Sequence, residues 1–265
     1  SLTGTINGDD SDPAGDGTMD RLSFAPSTTS IVFSTASVTN VEIIEGSGEG
    51  DDTLQGTAGN DSFEVTATGV GTVNGAGFTG FANLDGGLGD DSFQFTMDGA
   101  SLAGSIDGGG GLDTLGFSGF STNVMVALAG AGGIDGVDGT ESAGSVNGFS
   151  NINVLEGGAG VLDTFTGLNA NSIWTIDDTN TYTAASVSVN FTLDTAAAFE
   201  ILNGQSQSDV FNVSGTRVAS INAGDGEDEV NLESSAQLTG TVSTGADDDI
   251  LTFGSVGEMV FVFTL

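Results

Sequence analysis

Aspartates that close glycine-rich turns are the residues of this chain best suited to chemistry. The clearest copy runs Leu84-Asp85-Gly86-Gly87-Leu88-Gly89-Asp90-Asp91-Ser92-Phe93-Gln94-Phe95. It returns as Ile106-Asp107-Gly108-Gly109-Gly110-Gly111-Leu112-Asp113-Thr114-Leu115-Gly116-Phe117. A third copy is Ile221-Asn222-Ala223-Gly224-Asp225-Gly226-Glu227-Asp228-Glu229-Val230-Asn231-Leu232. The glycines permit a tight turn with positive φ. An aspartate at the end of such a turn can join backbone carbonyls around a hard cation. Asp and Gly are also ordinary turn formers, so solvated corners are the plain alternative.

Little other chemistry is available. The 265 residues hold no Cys, no His, 37 Asp+Glu and 2 Lys+Arg, for a formal charge of −35. Without His, Cys or Lys, most acid–base and nucleophilic arrangements are missing. Two carboxylates would suffice for a glycosidase. No Asp pair stands apart from its copies, however, and an enzyme needs one special place. Arg21 and Arg217 are the only basic residues, so no patch can neutralise the phosphates of nucleic acid. An anionic membrane surface is disfavoured for the same reason. Cations are the partner such a charge selects, although acidity alone also serves solubility. No apolar run approaches the ~20 residues of a membrane helix. The lack of Cys rules out a disulfide framework and fits a cytosolic protein or a secreted one stabilised by metal. The chain opens at Ser1 without a signal-peptide pattern and reads as processed, or as a portion of something longer.

The elements that must hold these turns are strands. Apolar residues alternate on either side of each turn, with period 2. Only 2 Pro and 37% hydrophobic residues argue for a folded chain despite its charge. An Asp-x-apolar step begins at Asp20, Asp52, Asp61, Asp91, Asp113, Asp163, Asp209, Asp228 and Asp249. Three of the spacings between these residues are 19 to 22, which predicts coils of about twenty residues. Spacings of 50 and 46 read as two coils each, and 30 and 32 as one coil with a loop. Units this short cannot bury their own apolar face, so they must stack on one another. The expected fold is all-β, a right-handed parallel β-solenoid. Phe93, Phe95, Leu115, Phe117, Phe211, Val230, Leu251 and Phe253 are its expected inward columns.

A longer repeat overlies the coils. Ser1–Ile6 matches Ser101–Ile106 and Gln237–Val242; Val41–Gly46 matches Ile152–Gly157; Phe81–Gly86 matches Phe199–Gly204. The expected units are therefore 1–100, 101–236 and the opening of a third, 237–265. The apolar stretch Met259–Leu265 reads as an unfinished strand, and neither end carries a polar cap, which predicts end-to-end self-association. Ala184–Ala198 reads as one strand, and Gly130–Gly144 as a loop. Asn-Gly pairs at Asn7, Asn74, Asn147 and Asn203 read as corners. Trp174, the single tryptophan, reads as core. Sequons at Asn60, Asn190 and Asn212 are short patterns that chance supplies often. The Thr residues are unevenly spaced, which speaks against an ice-binding face.

Gly86–Gln94 and Gly108–Gly116 resemble the nine-residue glycine-aspartate repeat of calcium-binding RTX proteins. Ser47–Gln55, Gly56–Glu64, Ala223–Asn231 and Thr244–Thr252 match with one or two substitutions. In that family turn carbonyls and the aspartate hold Ca2+ between stacked turns. The resemblance implies ligands at Asp52, Asp61, Asp91, Asp113, Asp228 and Asp249, with the turn residues Gly87, Gly89, Gly109 and Gly111. Asp163, with an extra residue after Gly160, and Asp209, with Gln207 in place of a glycine, depart from the pattern. Only Ser47–Glu64 is tandem, unlike an RTX roll. The long repeat is more similar to giant bacterial repeat adhesins and filamentous-haemagglutinin-like surface proteins. That likeness implies a secreted or cell-surface rod: a fibre, stalk or sheath, stiffened by Ca2+ and in contact with itself or with surface polysaccharide. The competing expectation is a carbohydrate-active β-helix enzyme of lyase or glycosidase type.

Overall fold

The computed structural model describes residues 6–7, 19–25 and 27–254. The N-terminal strands are β1 Ile6–Asn7, β2 Arg21–Ser23, β3 Val32–Ser34, β4 Val38–Thr39, β5 Ile43–Glu45 and β6 Thr53–Gln55. Next come β7 Ser62–Ala67, β8 Val70–Val73, β9 Ala76–Thr79, β10 Asn83–Asp85, β11 Ser92–Phe95, β12 Ser105–Asp107 and β13 Thr114–Gly116. They are followed by β14 Met125–Ala131, β15 Val137–Glu141, β16 Gly148–Ile152, β17 Val154–Glu156, β18 Thr164–Thr166, β19 Ser172–Ile176 and β20 Thr181–Ala184. Then come β21 Val187–Phe191, β22 Ile201–Gln205, β23 Asp209–Val213, β24 Thr216–Val218 and β25 Ser220–Gly224. The last are β26 Glu229–Leu232, β27 Gln237–Thr239, β28 Val242–Ser243 and β29 Ile250–Phe253. A single 3-10 turn, Thr35–Ser37, is the only helix among the described residues, and no helix there is long enough to cross a membrane.

Two large sheets take up most of the strands. One has 14, in the order β2-β5-β9-β8-β7-β11-β13-β17-β21-β20-β19-β23-β26-β29. The other has 11, in the order β28-β25-β22-β18-β14-β15-β16-β12-β10-β6-β3. The chain crosses from one sheet to the other and back, and most neighbours are parallel. Leu84 pairs beside Ile106, Phe93 beside Leu115, Leu202 beside Ile221 and Val230 beside Leu251. Each of these partners lies one circuit of 19 to 22 residues along the chain.

The longer circuits are built otherwise than their spacing predicts. Three times a sheet takes in an antiparallel meander of three strands: β7-β8-β9, β14-β15-β16 and β19-β20-β21. The spacings of 50 and 46 residues therefore contain a meander and not a second parallel coil. Gly130–Gly144 does not loop out; it forms part of the hairpin β14-β15, with Val137 fully buried. Ala184–Ala198 is not one strand either. Ala184 ends β20, Ala185 turns with φ 49, and β21 ends at Phe191. Period-2 alternation is the same for parallel and antiparallel strands, so the sequence pattern cannot separate them. The stretches β5 to β11 and β17 to β23 carry the same succession of elements, each with its meander in the third position of the series.

The core lies between the sheets. Phe63 stacks on Phe93 with centroids 4.9 Å apart, Phe95 on Phe117 at 5.3 Å, and Trp174 on Phe211 at 5.2 Å. Phe93, Phe95, Leu115, Phe117, Phe211 and Val230 are buried, as is Trp174. Leu251 and Phe253 are not: they are 42% and 37% exposed. Both sit on β29, the last described strand, in register with Val230 and Leu232 but with no further described coil to cover them. Asn74 and Gly75, both with positive φ, make the two-residue turn of the β8-β9 hairpin. Asn203-Gly204 lies inside β22, not at a corner. Met259–Leu265 and Ser1–Thr5 lie outside the described residues.

Candidate functional site: the aspartate corner

Several parallel strands of the larger sheet begin just after a corner, and there an aspartate carboxylate accepts a main-chain N–H from the neighbouring circuit. Asp61 N–H donates to Asp91 Oδ1 at 2.7 Å, and Asp91 N–H to Asp113 Oδ1 at 2.9 Å. Asp209 N–H donates to Asp228 Oδ1 at 2.8 Å, and Asp228 N–H to Asp249 Oδ1 at 3.1 Å. Asp61 Oδ1 accepts from the Asn74 side-chain amide and Asp209 Oδ1 from the Ser172 hydroxyl, whereas Asp91, Asp113, Asp228 and Asp249 cap the main chain of the preceding circuit. Asp52 and Asp163 do the same at the smaller sheet, accepting from Ile31 N–H at 2.9 Å and Val124 N–H at 2.7 Å. The expected ligands therefore occupy two corners rather than one.

The second carboxylate oxygen divides these residues into two groups. Asp52 Oδ2 accepts from Ser47 N–H and Oγ–H, and Asp61 Oδ2 from Thr57 N–H and Oγ1–H. Asp163 Oδ2 accepts from Gly158 N–H. The Oδ2 atoms of Asp91, Asp113, Asp209 and Asp228 are buried without a hydrogen-bond partner. Each of these four residues is at most 1% exposed. Burial pushes Asp91 up to about 7, and the Asp113 and Asp61 carboxylates add to the shift. Burial likewise raises Asp113 to about 6, helped by Asp135, Asp90 and Asp107. Asp209 rises to about 6 through burial and Asp228. Burial and Asp249 also raise Asp228. At Asp52 burial is outweighed by hydrogen bonds from Ser47 and Ile31, which hold it below its ordinary value.

Glycine is required where the carboxylate turns back on its own loop. A Cβ on Gly108 would lie 2.7 Å from Asp113 Oδ2, and one on Gly56 2.6 Å from Asp61 Oδ2. Gly87, Gly89, Gly109 and Gly111 have φ of 98°, 105°, 90° and 145°, a region that glycine enters without strain. They shape the turn. Gly109 N–H and Leu112 N–H are capped by Asp107 and Asp90, and Gly111 N–H by Asp135 from the β14-β15 turn.

The simple Asp-x-apolar pattern misses three members of the ladder. Asn153 accepts from Asp113 N–H, Glu200 from Asp163 N–H and Glu42 from Asp20 N–H. All three precede a strand as the aspartates do, in Asn153-Val154-Leu155, Glu200-Ile201-Leu202 and Glu42-Ile43-Ile44. Allowing Asn and Glu at the first position would have found them.

A buried, unpartnered anionic oxygen calls for a positive charge or a proton. Asp91, Asp113 and Asp228 fit a cation in that respect, and the glycine turns supply carbonyls. No group of three acidic side chains able to hold a metal occurs among the described residues. Any Ca2+ would accordingly take one carboxylate oxygen per coil and complete its shell with carbonyls and water. Asp52 and Asp61 are already saturated by hydrogen bonds. Comparison with known proteins finds no matching family model, no matching curated protein and no matching solved structure. The resemblance to RTX repeats thus stands on the motif residues alone.

Proposed function

We propose that this chain is a segment of a structural, adhesive extracellular repeat protein. In this reading it is a right-handed β-solenoid rod, stabilised by Ca2+ at the corners of Asp91, Asp113 and Asp228. Such a rod would extend a cell-surface fibre, stalk or sheath and join its neighbours end to end. The observation that carries the reading is repetition: one corner and one core recur through sheets of 14 and 11 strands. At ~4.8 Å per strand, the larger sheet is roughly 60 Å long. The charge of −35 would repel a neighbouring rod, and bound cations would reduce that repulsion. Electron microscopy and sedimentation of the purified chain, with and without about millimolar Ca2+, test the proposal. End-to-end strings that lengthen with Ca2+ are expected. A strictly monomeric particle indifferent to Ca2+ would refute it.

One observation favours the carbohydrate-active alternative. Asp85 and Asp107 are parallel neighbours on β10 and β12 and line a groove of about 460 Å³ with Gln55, Leu88 and Ile134. Gln55 Nε2 donates to Asp85, whose carboxyl is raised by burial and by Asp107. A carboxylic acid of raised pKa beside a second carboxyl group is an arrangement that glycosidases use. Release of reducing ends from acidic and neutral polysaccharides, abolished in Asp85→Asn and Asp107→Asn, would establish this reading over the first.

A further inference from the structure

In a plain stack of coils, the next strand to leave is always the one at the edge. It holds to the remainder by a single ladder, so the stack can unravel coil by coil. The meanders break that rule because their spatial order is the reverse of their chain order. Chain drawn out from the N-terminal side loses β2 to β6 and then reaches β7. By then β9 is the edge strand, while β7 is paired on both sides, with β8 and β11. Chain drawn out from the C-terminal side loses β29 to β22 and then reaches β21. The edge is now β19, while β21 is held by β17 and by β20. The middle meander behaves likewise. Its β14 is held by β15 and β18, and its β16 by β12 and β15.

We propose that the three meanders are mechanical stops, each of which halts unravelling from either end of the chain. From both directions the strand next in line is an internal one, and two ladders must break together to free it. The inference needs only the strand order, so it holds whether or not the protein is a fibre.

Optical-tweezers pulling tests it directly. The chain has no native Cys, so handles can be attached through Met19→Cys and Ile250→Cys, at sites 67% and 57% exposed. Low-force steps should remove the outer coils. A long-lived intermediate should follow, with residues 62–191 still folded. About 100 residues will then have been extracted, a gain of roughly 340–370 Å of contour. Further extension should need roughly twice the force, because two ladders break in place of one. A second pair of handles, Ser206→Cys and Ile250→Cys, spans plain coils only and should yield low-force steps alone. Continuous release through residues 62–191 at the plain-coil force would overturn the proposal. So would a stop of equal strength between the second pair of handles.

Discussion

Gly86→Ala isolates the corner. Gly86 has ordinary negative φ, so alanine meets no backbone strain there, and the effect is one of space. The new Cβ would lie 2.5 Å from Gly108 O and closer still to Asp91 Oδ2. Neither neighbour is the free end of a flexible chain: one is backbone and the other is a buried carboxylate whose Oδ1 caps Asp61. Overpacking of this kind costs about 1–3 kcal/mol. At about 2–4 °C per kcal/mol for a chain of this size, the melting temperature should fall by roughly 2–12 °C. Gly50→Ala and Gly130→Ala are the controls, because a Cβ at either meets nothing within 4 Å. Both should stay within about 0.5 kcal/mol of the parent. Urea midpoints and thermal melts at neutral pH measure all three. Adding Asp91→Ala to Gly86→Ala should cost less than the two single changes together, since the carboxylate clash disappears with the carboxylate. A Gly86→Ala protein as stable as the two controls would refute the account of the corner.

Phe93→Ala should cost about 3–5 kcal/mol, because the ring is fully buried and stacked on Phe63; an unchanged urea midpoint would contradict that packing. Asp91, Asp113 and Asp209 have folded values raised above 3.8 to about 7, 6 and 6. The folded state therefore binds more protons in that interval, and stability falls as pH rises through it. The melting temperature should climb from pH 8 to pH 5, and Asp91→Asn should flatten the climb; equal slopes in the two proteins would show that Asp91 is not responsible. Asp52, lowered in the fold, acts in the opposite sense, and its contribution should be lost as pH falls below 3.8. In the proposed reading Ca2+ would compete with protons for the Oδ2 atoms, so calcium should raise the melting temperature more at pH 8 than at pH 5. Calorimetry that finds no calcium binding at pH 8 would remove the cation from the corner.

The strand-rich character, the parallel partners 19 to 22 residues apart and most of the core were legible in the sequence. Phe93, Phe95, Leu115 and Phe117 announce themselves by alternation beside a glycine turn. The corner aspartates were legible as corners too, but not in how they act. For Asp91 and Asp113 the partner is a main-chain N–H on the neighbouring circuit, and no local pattern shows which atom faces which across 22 or 30 residues. The split between saturated Asp61 and unpartnered Asp91 depends on Thr57, whose hydroxyl reaches Asp61 Oδ2 where the equivalent Gly87 offers none. The meanders were hidden for a different reason. Val187, Val189 and Phe191 alternate as they would in a parallel coil, and only tertiary pairing decides that β21 runs against β20. Leu251 and Phe253 carry the core pattern, yet burial depends on a covering coil and not on the residue itself.

The contact between Asp91 Oδ1 and Asp61 N–H works as a proofreading device. Parallel strands as alike as Ser92-Phe93-Gln94-Phe95 and Thr114-Leu115-Gly116-Phe117 would tolerate a shift of two residues on hydrophobic grounds. That shift would carry a buried carboxylate away from the one donor aligned to receive it. The error would be penalised wherever such a corner aspartate recurs, by a buried carboxyl group left without its donor. A foreign strand approaching an open edge would face the same check, since it would have to present a main-chain N–H at the corner position. Fidelity in a stack of near-identical layers is thus written in the polar corner, while the apolar interior supplies the adhesion.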